Sequence, residues 1–216
     1  IAELCPNPLE GNPRTFISGE GESLEEWHAC NDGEHPVAHV FKVSSDPYVG
    51  KLCVFRVHQG VMNNKTNPKV GDSRKGIKLS HVFKLQGKDH VEIPEVISGD
   101  IGAVAKIEEL NFGSVMHDGS ISDQMKIKPL PMPKPMYGLA IDAANRNAET
   151  KLGEALSKLQ VEDPTLEIDR VAATGDLVMR GLGDIHLRAK LRILKDRFGV
   201  EVDTRTPKVA YKETIT

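Results

Sequence analysis

Between residues 36 and 130, short runs of β-branched and aromatic side chains alternate with turn-forming residues, and the pattern predicts an all-β region. Val37-Ala38-His39-Val40-Phe41-Lys42-Val43 and Leu52-Cys53-Val54-Phe55-Arg56-Val57 read as strands. Asp46-Pro47, Gly60, Asn63-Asn64, Gly71-Asp72, Gly87-Lys88-Asp89 and Gly99-Asp100 punctuate them at turn-like intervals. Such regular spacing predicts a closed antiparallel barrel. Pro129, Pro131, Pro133 and Pro135 then alternate, which forces an extended, non-helical segment and marks a domain boundary.

Beyond the prolines the period changes. Residues 136–142 read as a strand, and within 148–160 Leu152, Ala155, Leu156 and Leu159 fall on one helical face. Asp163-Pro164 ends that helix. Leu166-Glu167-Ile168 and Leu177-Val178-Met179 read as strands joined by a turn at Gly175-Asp176. Leu187, Leu191, Leu194 and Phe198 line a second helix that closes at Gly199, before the strand Val200-Glu201-Val202-Asp203. The order βαββαβ predicts an α+β sandwich of the split βαβ, or ferredoxin-like, type, with helices on one face of the sheet and the other face free for a neighbour.

Charge refines the picture at the N-terminal end. Residues 1–35 carry Glu3, Glu10, Glu20, Glu22, Glu25, Glu26, Asp32 and Glu34 against Arg14 alone, with Pro6, Pro8 and Pro13 close together, and read as an acidic extended linker. The rest of the chain is mildly basic. The expected organisation is therefore a linker (1–35), a barrel (36–130), a ferredoxin-like unit (131–210) and the start of a further connection (211–216). No apolar run approaches the ~20 residues that cross a bilayer, and the start lacks a signal-peptide pattern, so no membrane partner and a cytoplasmic location are expected. Cys5, Cys30 and Cys53 are scattered and read as three free thiols rather than a disulfide or zinc framework.

The sequence offers little chemistry. A nucleotide-hydrolysing domain needs the loop GxxxxGK[ST], whose amides and lysine cradle phosphates, and this chain has no such string. Asn64-Lys65-Thr66-Asn67 imitates a guanine-reading NKxD but ends in an amide, and it falls at a predicted turn. His186 and Asp184 stand two apart, a spacing that does not bring helical side chains face to face, so His186 reads as a contact or packing residue. No catalytic, cofactor or metal residue is expected.

Binding is the positive signal. The second helix presents Arg188, Arg192 and Lys195 along one stripe, with Lys190 and Arg197 beside them, a pattern that can neutralise phosphates or equally form a solvated face. Lys51, Arg56, Lys69, Arg74, Lys75, Lys78 and Lys84 form a second basic concentration around barrel loops.

Several strings carry a family resemblance. Gly181-Leu182-Gly183-Asp184-Ile185-His186-Leu187 and Pro207-Lys208-Val209-Ala210-Tyr211-Lys212-Glu213-Thr214-Ile215 resemble the third domain of elongation factor G. The segment from Phe41 through Asp46-Pro47-Tyr48-Val49-Gly50-Lys51-Leu52, with Phe55-Arg56-Val57 and Gly60, resembles the opening of that family's second domain. Cys5-Pro6-Asn7-Pro8-Leu9 is similar to the proline-rich exit from the family's GTPase domain, and the start at Ile1 fits a piece of something longer.

The resemblance implies a non-catalytic ribosome-binding and interdomain-coupling region of a translational GTPase. Its barrel would lean on small-subunit ribosomal RNA, and its ferredoxin-like domain would abut a small-subunit protein and the GTPase switch segments. The resemblance also implies that GTP and magnesium belong to a GTPase domain outside this chain, with C-terminal domains following. His186, Arg188, Arg192, Lys195, Lys51, Arg56, Arg74 and Lys75 become the RNA-contact candidates. The usual Glu-Leu-His-Leu-Glu reads Asp184-Ile185-His186-Leu187-Arg188 here, which favours a divergent paralogue. A ribosome-protection or peptide-release factor with the same domain pair, and a freestanding RNA-binding adaptor, stay open.

Overall fold

Strand-forming residues fill the first half of the chain and helix-forming ones enter only in the second. The computed structural model describes residues 3–7, 10–11, 14–19, 25–29, 33–46, 49–87, 89–122, 124–143 and 146–209. Two compact units emerge, Ile1–Leu130 and Pro131–Thr216.

In the first unit the strands are β1 (Thr15–Ser18), β2 (Glu25–His28), β3 (Val37–Asp46), β4 (Gly50–Gln59), β5 (Val61–Asn63), β6 (Lys69–Val70), β7 (Val82–Gln86), β8 (Asp89–Ile93), β9 (Glu95–Ile97), β10 (Ile101–Ala105), β11 (Val115–His117) and β12 (Met125–Ile127). Seven of them form one antiparallel sheet in the order β6-β11-β3-β4-β10-β7-β8. The central strand β4 is covered on both sides, which explains its unbroken apolar run. Its inner residues Cys53, Phe55 and Val57 join Ala38, Val40, Leu79, Val104 and Met116 in the main core. Leu52 and Val54 pack outward with Ala103, Phe83 and Leu85.

The antiparallel barrel expectation is met by a barrel-like sheet. No ladder joins β6 to β8 among the described residues. Strand β6 has only two residues. Leu79 from the β6–β7 loop and Met62 and Val96 from the separate β5–β9 pair are fully buried in the same core.

The acidic leader is not a tether throughout. Strand β1 pairs with both β2 and β12, and Phe16 is completely buried against Val37, Val115 and Met125. Burying a phenylalanine contributes about 2 kcal/mol, enough to hold a short strand despite its acidic flanks. Glu26 on the edge strand β2 is compensated by Lys128 from the chain following β12. Cys30, Pro8, Pro13, Glu20, Glu22, Asp32, Pro47, Tyr48 and Lys88, with the expected connection at 211–216, lie outside the described residues.

The second unit contains β13 (Tyr137–Ala143), α1 (Arg146–Glu162), β14 (Glu167–Arg170), β15 (Leu177–Gly181), α2 (Asp184–Phe198) and β16 (Val202–Arg205). Its sheet has the order β14-β15-β13-β16 with all pairings antiparallel, the ferredoxin-like arrangement. Leu152, Leu156 and Leu159 of α1 and Leu187 and Leu194 of α2 meet Ile141 and Met179 of the sheet in one core. Helix α2 stops where Gly199 turns left-handed (φ 65°), its N–H donating to Lys195 O and that of Val200 to Leu194 O. A glycine adopts that conformation without steric cost.

Candidate nucleic-acid interface

The tight connection from β15 into α2 is built around Gly181. A Cβ there would lie 2.6 Å from Leu187 Cδ2 and 2.7 Å from His186 Nδ1, so only glycine lets the helix fold back this closely. The Leu182 N–H donates to His186 Nδ1 at 3.1 Å. That nitrogen is therefore the acceptor, and the ring proton sits on Nε2, which donates to Asp163 Oδ2 at 2.9 Å.

Asp163 is the hub of this cluster. It receives Lys190 Nζ at 2.7 Å, the Thr165 hydroxyl at 2.7 Å and the Thr165 N–H at 2.9 Å. Burial opposes its charge, but these donors outweigh it and hold the carboxyl well below the usual carboxylate range. The cluster ties the C-terminal end of α1 to the first turns of α2. Both nitrogens of His186 are engaged, so its geometry serves packing, and the neighbouring Asp184 pairs with Arg188 instead.

The basic stripe of α2 is electrically answered. Arg188 meets Asp184 at 2.9 Å, Arg192 meets Asp196 at 3.2 Å, and Lys195 meets Glu201 at 2.9 Å. The cations remain exposed, but three carboxylates cancel three cations along that face. Lys190 is turned inward to Asp163, and Arg197 forms a two-pronged pair with Glu162.

The barrel candidates divide. Lys51 is only 12% exposed and staples a loop, donating to Glu108 O at 2.8 Å and Asn111 Oδ1 at 3.2 Å. Lys84 pairs with Asp100 at 3.1 Å. Arg56 is half-buried on the outer face of β4 beside His39 and His58. Arg74, Lys75 and Lys78 are exposed on the β6–β7 loop and have no carboxylate partner among the described residues. The one acid in that loop, Asp72, is taken by Lys126 at 2.8 Å.

That loop is rigid. Its backbone is pinned by Ser73 N–H to Val70 O (2.9 Å) and Ile77 N–H to Pro68 O (2.7 Å), and Leu79 anchors it in the core. Three adjacent cations thus sit on a fixed scaffold, which is what phosphate recognition by charge and shape needs.

The guanine-reading imitation resolves as a turn. Asn63 Oδ1 accepts from Lys65 N–H, Thr66 N–H and the Thr66 hydroxyl, so Asn64 to Asn67 form an Asx-type turn rather than a base-binding loop. Among the described residues no cluster of three potential metal ligands occurs, and no helix is long and apolar enough to cross a membrane. Cys5 and Cys53 are free.

Residues 36–119 match the family model described as elongation factor G domain 2, and residues 132–206 match that of elongation factor G, domain III. This chain belongs to the elongation factor G family. A crystal structure of a protein from Thermus thermophilus superposes with a TM-score of 0.72 at 34% sequence identity, covering 82% of this chain and 26% of that one. The chain thus spans about a quarter of that protein's length. The family frame leaves one pair unanticipated: buried Asp176 receives both guanidinium nitrogens of Arg205 at 3.0 and 2.7 Å and the Lys208 N–H at 3.1 Å. Arg205 holds its carboxyl down to about 2. In sequence only two opposite charges, 29 residues apart, could have hinted at it.

Proposed function

We propose that this chain is the non-catalytic, ribosome-binding and interdomain-coupling region of a GTP-dependent translation factor of the translocase type. Its membership of the elongation factor G family supports the setting, and the uncompensated Arg74, Lys75 and Lys78 on their pinned loop carry the binding role. The partner of that loop is small-subunit ribosomal RNA. The ferredoxin-like unit, through the paired face of α2 that His186 helps to position, meets a small-subunit protein and the GTPase domain of the intact factor. GTP and magnesium act in that GTPase domain, and the whole works in the cytoplasm.

The barrel would supply a grip that persists while nucleotide state changes elsewhere, and the second unit would pass that state on as a shift between populations. Co-sedimentation of the 216-residue chain with purified small ribosomal subunits tests the grip. Replacing Arg74, Lys75 and Lys78 by glutamate should weaken it on the order of 100-fold at low salt and lower the slope of log affinity against log salt by about 0.9 for each phosphate no longer neutralised. Unchanged affinity and slope would overturn the assignment.

A further inference from the structure

Five aromatic rings run in sequence from the small β1–β2 sheet onto the outer face of the long sheet. Trp27 lies 5.6 Å from Phe16, Phe16 meets His58 edge-on at 5.2 Å, His58 lies 4.8 Å from His39, and His39 stands 6.0 Å from Phe41. The middle of the series is covered, with Phe16 fully buried and His39 8% exposed. Its end is open: Phe41 is 36% exposed.

A β-bulge puts it there. The β3–β4 register shifts between Val40 and Lys42, and the bulge is fixed because Val40 N–H donates to Ser114 O and Val40 O accepts from Gly113 N–H, both at 2.8 Å. Bulges re-aim side chains and tend to be kept where a side chain is needed. Arg56 stands directly across from His39 and so shares the outer face, and Ile101, its partner on the other side, is also exposed.

The electrostatics of this face are unusual for a structural feature. His39 Nδ1 and His58 Nε2 lie 2.6 Å apart in a ring-to-ring hydrogen bond. Burial first, then the positive charges of Arg14 and Arg56, push both imidazoles down, His39 to about 4 and His58 to about 3, where the His39 ring adds to the effect. Arg56 lies across from His39 in the ladder and Arg14 two residues before Phe16, whose ring meets His58, so both charges reach the ring pair, and neither has a carboxylate partner among the described residues. Converging like charges oppose folding. Lys84 and Lys126 of the same unit are instead paired, with Asp100 and Asp72.

An unpaired nucleotide fits this arrangement, offering a flat π-face to a backed aromatic ring and a phosphate to guanidinium donors. We propose that Phe41, Arg56 and Arg14 form a site for a single unpaired nucleotide, its base stacked on Phe41 and its phosphate held by the two arginines. Resting on the RNA-contacting role above, the source is an unpaired position in RNA. A free mononucleotide shares the chemistry.

Trp27, the single tryptophan of the chain and the far end of the ring series, reports binding by its fluorescence. The probes are a single-stranded adenosine hexanucleotide, an RNA duplex of equal length and adenosine monophosphate. The single strand should bind at least about tenfold more tightly than the duplex, and Phe41→Ala should weaken it about tenfold while Phe41→Tyr retains it. Arg14→Gln and Arg56→Gln should each weaken it and flatten its salt dependence. Monophosphate binding as tight as that of the hexanucleotide, and abolished in Phe41→Ala, supports the site with a free nucleotide as its source.

Arg14 and Phe41 are exposed, so their variants keep the test alive if Arg56→Gln fails to fold. Duplex binding equal to single-strand binding, or affinity untouched in folded Phe41→Ala and Arg14→Gln proteins, would overturn the proposal. Replacing Arg74, Lys75 and Lys78 by glutamine should leave the Phe41-dependent ratio intact while small-subunit binding falls, which separates failure of this site from failure of the loop.

Discussion

Helix α2 and the β6–β7 loop carry similar numbers of exposed cations and have opposite electrical characters. On α2, the helical period sets a carboxylate one turn from each arginine, at Asp184–Arg188 and Arg192–Asp196, and the chain returning after Gly199 brings Glu201 to Lys195. On the loop there is no such period, and its one acid is drawn away by Lys126. Adding up lysines and arginines along a sequence therefore misjudges potential; what matters is whether an acid sits at the spacing the local structure makes a contact. Exposed pairs of this kind contribute little to stability. Their larger effect here is to remove a field that RNA would feel.

The contrast breaks most readily at the loop. Reversing Arg74, Lys75 and Lys78 should reduce small-subunit affinity on the order of 100-fold at low salt, while the same operation on Arg188, Arg192 and Lys195 should fall well short of that. Equal losses from the two sets would erase the distinction. A stability measurement probes the other side, the inference that α2 is held as a packing element through Asp163. Asp163→Asn leaves Lys190 without its counter-charge in a largely covered position and should cost about 2 to 3 kcal/mol. Urea unfolding followed through second-unit signals would show it, and a change below about 0.5 kcal/mol would mean the cluster is incidental.

Acid separates the two units next. The imidazoles of His39 and His58 have folded values depressed to about 4 and about 3, so the unfolded chain binds their protons first as pH drops below about 6.5. Stability from these groups is complete above that pH and declines toward pH 4, with each group contributing a slope of at most about 1.4 kcal/mol per pH unit. Asp163 and Asp176 are depressed carboxylates, so the stability they lend the second unit is complete above about pH 4 and is lost only in stronger acid, for Asp176 as pH falls through about 2. Histidine and second-unit amide signals followed by NMR between about pH 7 and 4 should therefore show the first unit weakening ahead of the second. Parallel loss in both would contradict the buried histidine pair.

Much of the fold could be read before any coordinates. The amphipathic periods around Leu152 to Leu159 and Leu187 to Phe198, with Gly199 as a stop, located both helices because burial and helix geometry impose the same spacing. The strands of the leader could not be read, since one buried side chain, Phe16, decides them while Glu25 and Glu26 on an edge strand mimic a solvated linker. The contribution of Leu79, Met62 and Val96 to the barrel core was also illegible, because they come from a loop and a separate strand pair rather than from the long sheet. At the candidate interface the cations were visible, as were Asp184 and Asp196 one helical turn from the arginines of α2, but the partners distant in sequence were not. Lys51 looks available in sequence, yet the groups it binds lie 57 and 60 residues away. Arg14 was submerged in an acidic leader and acquires meaning only beside His39 and Arg56.

The finest test reverses the logic of the helix. If carboxylates silence α2, then Asp184→Asn, Asp196→Asn and Glu201→Gln together should raise affinity for small subunits about two- to threefold and steepen its salt dependence, because three cations become free to displace counterions. The change should be small, since the freed side chains are mobile and solvated and reach RNA only if that face already lies near it. Replacing Arg188, Arg192 and Lys195 by alanine in the otherwise unchanged chain should alter affinity less than about threefold. A large loss in the alanine protein, with no gain in the amide one, would show that the ion pairs open on contact and that α2 grips RNA after all.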